Sequence, residues 1–115
     1  MKPLQPQIVS QSREGGDKAR FKLKLPADLL YFEGHFPSSP ILPGVVQIDW
    51  AIGFARTLFP IQGEFKGLEA LKFQQVLQPG DEPELELEFK PAKNAFSFRY
   101  LSSRGRHSSG TAFFG

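Results

Sequence analysis

Gly34-His35-Phe36-Pro37, Pro40, Pro43-Gly44 and Asp49 make up the stretch of this chain best equipped for chemistry. His35 is one of only 2 histidines, and Asp49 follows 14 residues later inside an apolar run. A free imidazole titrates near about 6.5, so part of its population is a neutral base at pH 7. A carboxyl sunk among Ile48, Trp50 and Ile52 is expected to be buried, which favours the neutral, proton-donating form. A base and an acid delivered by two different elements can move two protons on one small substrate. Gly44 falls at the start of a helix, where free backbone N–H groups and the positive end of the helix dipole suit a developing oxyanion. Glycine has no Cβ, so a carbonyl can come close there. Val45, next in the chain, and Phe36, beside the histidine, complete the expected oxyanion and substrate-binding set. Two histidines and no cysteine, at no ligand spacing, make a poor zinc set, so neither a metal nor a cofactor is expected.

These residues need elements to hold them. Residues 5–12 and 20–25 read as two strands around the turn Glu14-Gly15-Gly16-Asp17. In the second, Phe21, Leu23 and Leu25 alternate with Lys22 and Lys24, the period of a half-buried strand. Residues 26–43 read as a loop with a short helical turn at 28–31. Pro37, Pro40 and Pro43 recur every third residue and stiffen it. Residues 45–59 form the one long helix, opened by Pro43 and Gly44 and stopped by Pro60. Its apolar residues run almost all the way round, which predicts a helix wrapped by protein. Four more strands follow, at 66–77, 84–90, 95–102 and 107–114, with turns at Gln78-Pro79-Gly80-Asp81 and Ser103-Arg104-Gly105. Phe89, Phe96, Phe98 and Phe113 read as core, and His107 as surface. Two strands, a buried helix and four strands predict an α+β fold with an antiparallel sheet curled around one long central helix.

A chain of 115 residues, 40% apolar with 12 Phe, can fill one core, so residues 1–115 are expected to be a single domain. No run of 18 apolar residues is present and the N-terminus has no secretory h-region, so no membrane partner is expected. The absence of cysteine fits a cytoplasmic protein. A net charge of +2, from 14 basic and 12 acidic residues, is too balanced to point to nucleic acid.

The run from Gly34 to Asp49, GHFPSSPILPGVVQID, resembles the hallmark of the hotdog-fold 3-hydroxyacyl-thioester dehydratases of fatty-acid synthesis. Residue types and spacing agree over 16 positions. The segment Ile41 to Ala51 is most similar to the small dehydratases of aryl polyene gene clusters. The resemblance implies a hotdog fold and a lyase that converts a 3-hydroxyacyl thioester to the trans-2-enoyl thioester. The acyl group would be carried on acyl carrier protein or coenzyme A. It implies His35 as base and Asp49 as acid, coming from different chains, and therefore a homodimer or a hotdog heterodimer. The chain departs from the pattern at Gly53, where the fatty-acid dehydratases usually carry Gln four residues after the acid. That puts substrate preference in doubt, and activity less so. Asp in place of Glu marks a branch that can also isomerise the new double bond.

Blander readings stand beside these. His35 alone fits a structural histidine in a turn. Asp49 alone fits a buried partner for Arg56, although i to i+7 is about 10.5 Å along a helix. Arg56, Lys66, Lys72, Arg99, Arg104 and Arg106 suit either an acidic carrier protein or plain solvation. Two rival functions remain: a thioesterase in which Asp49 activates water, and a non-catalytic hotdog subunit supporting an active partner.

Overall fold

The computed structural model describes residues 2–33 and 40–115. Its elements are β1 (Gln7–Glu14), β2 (Lys18–Lys24), a 3₁₀ turn (Leu30–Phe32), α1 (Gly44–Leu58), β3 (Phe65–Phe73), β4 (Glu84–Lys90), a second 3₁₀ turn (Pro91–Lys93), β5 (Ala95–Ser102) and β6 (Gly105–Phe114). The strands form one antiparallel sheet in the order β1-β2-β4-β5-β6-β3. The expected order of two strands, a helix and four strands is therefore present, and so is the sheet around a helix.

Side-chain alternation explains which face holds the helix. Ala19, Phe21 and Leu23 of β2, Leu85, Leu87 and Phe89 of β4, and Phe96, Phe98 and Tyr100 of β5 are all buried. Their registers agree, with Phe21 opposite Leu85 and Leu87 opposite Phe98, so one face of the sheet is continuously apolar. Against it α1 lays Val46, Trp50, Ala51 and Ala55. Phe54 stacks on Phe21 at 4.6 Å between centroids, and Phe59 on Phe89 at 5.3 Å. Such pairs contribute about 0.5–1.5 kcal/mol each beyond their buried area. Outward positions carry charge. Glu86 is flanked by Arg20 and Arg99 on the neighbouring strands.

Three expectations need correction. The helix is not wrapped all round within this chain: Val45, Asp49, Gly53, Arg56 and Thr57 line an exposed face. The sheet reaches only one side of α1, and apolar residues continue onto the other. Phe114 rather than Phe113 points into the core, where it stacks on Phe96. His107, expected at the surface, is 0% exposed. Tyr100 pairs with Ser108 and Leu101 with Arg106, so His107 is the extra residue of a bulge that turns it inward.

A second bulge lies between Glu69 and Lys72 of β3. There Ala70 takes the left-handed conformation, with φ of 54°. The extra residue resets the alternation, so that Leu68 faces buried Ala112 and Phe73 faces buried Ser108. Phe73 is thereby carried to the start of α1.

Candidate active site

Helix α1 positions the candidate acid and the candidate oxyanion donors. Pro43 precedes the helix with an extended backbone, and its carbonyl accepts the N–H groups of Val46 at 3.1 Å and Gln47 at 3.3 Å. Among the described residues, the N–H groups of Gly44 and Val45 have no hydrogen-bond partner. They are the orphan donors of a helix N-terminus, available to a negatively charged oxygen. Asp49 lies five residues beyond Gly44, about 7.5 Å along the axis. It shares the exposed face with Val45, one turn earlier, which is 72% exposed.

Asp49 is therefore exposed within this chain, against the expectation of burial among Ile48, Trp50 and Ile52. Those neighbours turn toward the sheet while Asp49 turns away from it. Its proposed structural partner is engaged elsewhere: Arg56 donates to the Gly63 carbonyl at 3.1 Å and lies over the Phe114 ring at 4.7 Å. That leaves Asp49 without the internal ion pair that would have explained it. His35 and Phe36 lie outside the described residues, so the pairing of base and acid is not placed.

Gly44 meets an unexpected neighbour. A Cβ there would stand 2.5 Å from the ring of Phe73, closer than any real contact. The lack of a side chain thus admits the Phe73 ring, itself 51% exposed, to the helix start. Gly53 differs. An added Cβ would meet nothing within 4 Å, so among the described residues neither crowding nor backbone geometry requires glycine.

Behind this face lies a buried polar group that sequence reasoning missed. Gln47 is buried between α1 and the sheet. Its Nε2 donates to the Leu42 carbonyl at 3.2 Å, and its Oε1 accepts from the Ser108 hydroxyl at 2.6 Å. The Tyr100 hydroxyl donates to the Gln47 carbonyl at 2.7 Å. Burial pushes the Tyr100 phenol well above its ordinary 10.0, and the negative charge of Asp49 adds to that rise. Beside Ser108, His107 donates from Nδ1 to the Val76 carbonyl at 3.2 Å, since a carbonyl can only accept. Its Nε2 stands 2.7 Å from the Ser102 hydroxyl. The available signal was positional: Gln47 shares its helix face with Trp50 and Ala51 at i+3 and i+4.

The six candidate carrier-binding cations divide in two. Arg99 pairs with Glu86, Arg104 with Asp81 at 2.6 Å, and Arg56 is held as described. Lys66, Lys72 and Arg106 make no ion pair among the described residues. A groove of about 480 Å³ crosses the outer face of the sheet past Arg20, Glu86, Arg99 and Thr111. It lies on the far side from α1, and its described lining does not include Asp49. The helix face is therefore the better candidate, because Gly44, Val45 and Asp49 are there.

Comparison with known proteins bears on the family and the fold. The ApeI-like family, described as ApeI dehydratase, matches residues 11–111. The dehydratase heterocomplex ApeI:P from Xenorhabdus doucetiae superposes with a TM-score of 0.89 at 35% identity, covering 95% of this chain and 96% of that one. An uncharacterized protein from Erwinia carotovora subsp. atroseptica gives a TM-score of 0.83 at 32% identity, covering 95% and 94%. A 3-hydroxyacyl-[acyl-carrier-protein] dehydratase FabZ from Ruminiclostridium cellulolyticum is 36% identical over 87 residues, 70% of this chain and 61% of that protein. The match thus spans about three fifths of the length of that curated relative. The chain has the hotdog fold and belongs to the ApeI-like dehydratase family.

Proposed function

We propose that this chain dehydrates a 3-hydroxyacyl thioester, carried on acyl carrier protein, to the trans-2-enoyl thioester. His35 takes the C2 proton, and the charge that develops on the thioester oxygen is held by the N–H groups of Gly44 and Val45. The electron pair forms the C2–C3 double bond as the C3–O bond breaks. Asp49 gives its proton to the departing oxygen, which leaves as water. Phe36 and Val45 line the approach of the acyl group. One observation carries this reading: Asp49 and the N–H groups of Gly44 and Val45 share one helix end, and among the described residues the N–H groups have no partner and no cation pairs with the acid. Membership of a dehydratase family supports it.

Exposure of the acid argues for a second subunit. Phe65, Leu68, Leu71 and Phe73 on the edge strand β3, with Val45 and Val76, leave an apolar surface beside Asp49. A long apolar edge strand invites pairing, and a solved relative is a heterocomplex. A homodimer or hotdog heterodimer would cover β3 and bury Asp49, the desolvation that an acid in this role requires. Lys66, Lys72 and Arg106 are the cations left for an acidic carrier, in the cytoplasm where such thioesters are made. A supporting, non-catalytic subunit is the second reading, favoured by Gly53 in place of the usual amide.

The test is hydration in reverse. Purified protein with a trans-2-enoyl thioester loses enoyl absorbance and yields 3-hydroxyacyl product by mass spectrometry, and His35→Ala and Asp49→Asn each abolish it. Free thiol without hydrated product would assign a thioesterase. No turnover on either carrier by the folded protein, with activity only after a second hotdog chain is added, would assign the supporting role.

A further inference from the structure

We infer that Gln47 is a positioning residue for the reaction, clamping the start of the central helix so that the oxyanion donors and the acid keep their relative aim. The inference rests on the proposed dehydration.

Three parts of the fold converge on this one residue. The segment entering the helix is held at Leu42, whose N–H donates to the Leu77 carbonyl at 2.8 Å and whose carbonyl accepts from Gln47 Nε2. Strand β6 reaches Gln47 Oε1 through Ser108, and β5 reaches its carbonyl through Tyr100. Gln47, Ser108 and Tyr100 are all buried, and among the described residues no buried side-chain nitrogen or oxygen lacks a partner. Burying a polar group in an otherwise apolar helix–sheet contact is costly unless each atom is bonded. An apolar residue of equal volume would fill the same space without that requirement. What the amide adds is direction, because it must accept on one side and donate on the other.

The direction bears on the site. The donors Gly44 and Val45 lie between Leu42 and Gln47, so the Gln47–Leu42 bond closes the turn that contains them. Asp49 follows Gln47 by two residues, about 200° around the helix. Gln47 therefore points into the sheet while Asp49 points out of it. Fixing the first also fixes the rotation of the second about the helix axis. A misplacement of about 1 Å in such a constellation costs roughly a hundredfold in rate.

Gln47→Met conserves volume and removes both side-chain bonds. Ser108→Ala removes a single atom and one bond, and keeps the test decidable if Gln47→Met fails to fold. With a trans-2-enoyl thioester, each folded and assembled variant is expected to lose kcat roughly 10- to 100-fold. KM should stay within about twofold, the split expected of an interaction needed only in the transition state. The double variant should lose little more than Gln47→Met alone, because both changes break the same bond. A folded variant with wild-type kcat, or one whose loss equals its unfolded fraction, overturns the inference. Amide hydrogen exchange judges the clamp even if the wild type turns nothing over, which would defeat the proposed function instead. The Leu42, Val46 and Gln47 amides should exchange roughly tenfold faster in the variants while β4 amides do not. Unchanged exchange at those three amides overturns the clamp.

Discussion

At Gly44 two features meet in one residue: a helix N–H without a partner among the described residues, and room for the Phe73 ring. Adding a single methyl there tests both. Gly44→Ala is expected to cost about 1–3 kcal/mol in chemical denaturation, the range for overpacking. In Gly44→Ala/Phe73→Ala most of that cost should disappear, because the ring that blocks the methyl is gone. Additive losses would show that the two residues do not meet in solution. Tyr100 gives a second prediction at this scale. Its folded-state pKa lies above the unfolded value of 10.0, because burial and then Asp49 disfavour the phenolate. Its contribution to stability is fully present below pH 10 and is lost as pH rises from there toward the folded value. Urea titrations from pH 8 upward should show that decline in the wild type and a shallower one in Tyr100→Phe. Equal slopes would mean that the phenol is not buried as described. The order His35, Pro43-Gly44, Asp49 was readable from residue type and spacing. Gln47 was not, because a polar residue in an apolar helix declares its partners only once the sheet is in place.

Elements were legible where one periodicity ruled. Strands β4 and β5 have the boundaries expected from alternating Leu and Phe, and α1 runs Gly44–Leu58 against an expected 45–59. The signal failed where a bulge broke the alternation. Residues 66–77 were expected as a strand, and the observed strand is Phe65–Phe73 with a left-handed Ala70 inside it. His107 and Phe113 were misplaced for similar reasons, since an extra or shifted residue exchanges inward and outward positions. Left-handed backbone costs a non-glycine residue about 1–2 kcal/mol. Ala70→Gly should therefore stabilise the protein by roughly 1 kcal/mol in urea denaturation. A loss of stability would mean that the Ala70 side chain makes a contact worth more than the strain.

For the whole molecule, the decisive feature is an exposed surface that a single chain does not use. The all-round apolar helix was expected to be wrapped by protein, but one sheet covers only one side of it. The remaining cover cannot be read from one chain's periodicity, because in the proposed assembly it would come from a second subunit. Leu68 and Leu71 on β3 test this. Leu68→Asp/Leu71→Asp is expected to convert the assembly to a folded monomer by sedimentation, with enoyl hydration lost. A wild-type monomer at micromolar concentration, or a variant that stays assembled, would remove β3 from the interface.

The most direct measurement of the central claim is enoyl hydration by the wild type beside His35→Ala and Asp49→Asn. Loss of enoyl absorbance with 3-hydroxyacyl product is expected in the wild type. A fall of at least about a hundredfold is expected in each variant, with the assembly retained. Wild-type rates in a folded Asp49→Asn would contradict the account, because the acid on the helix face would then have no part in the chemistry.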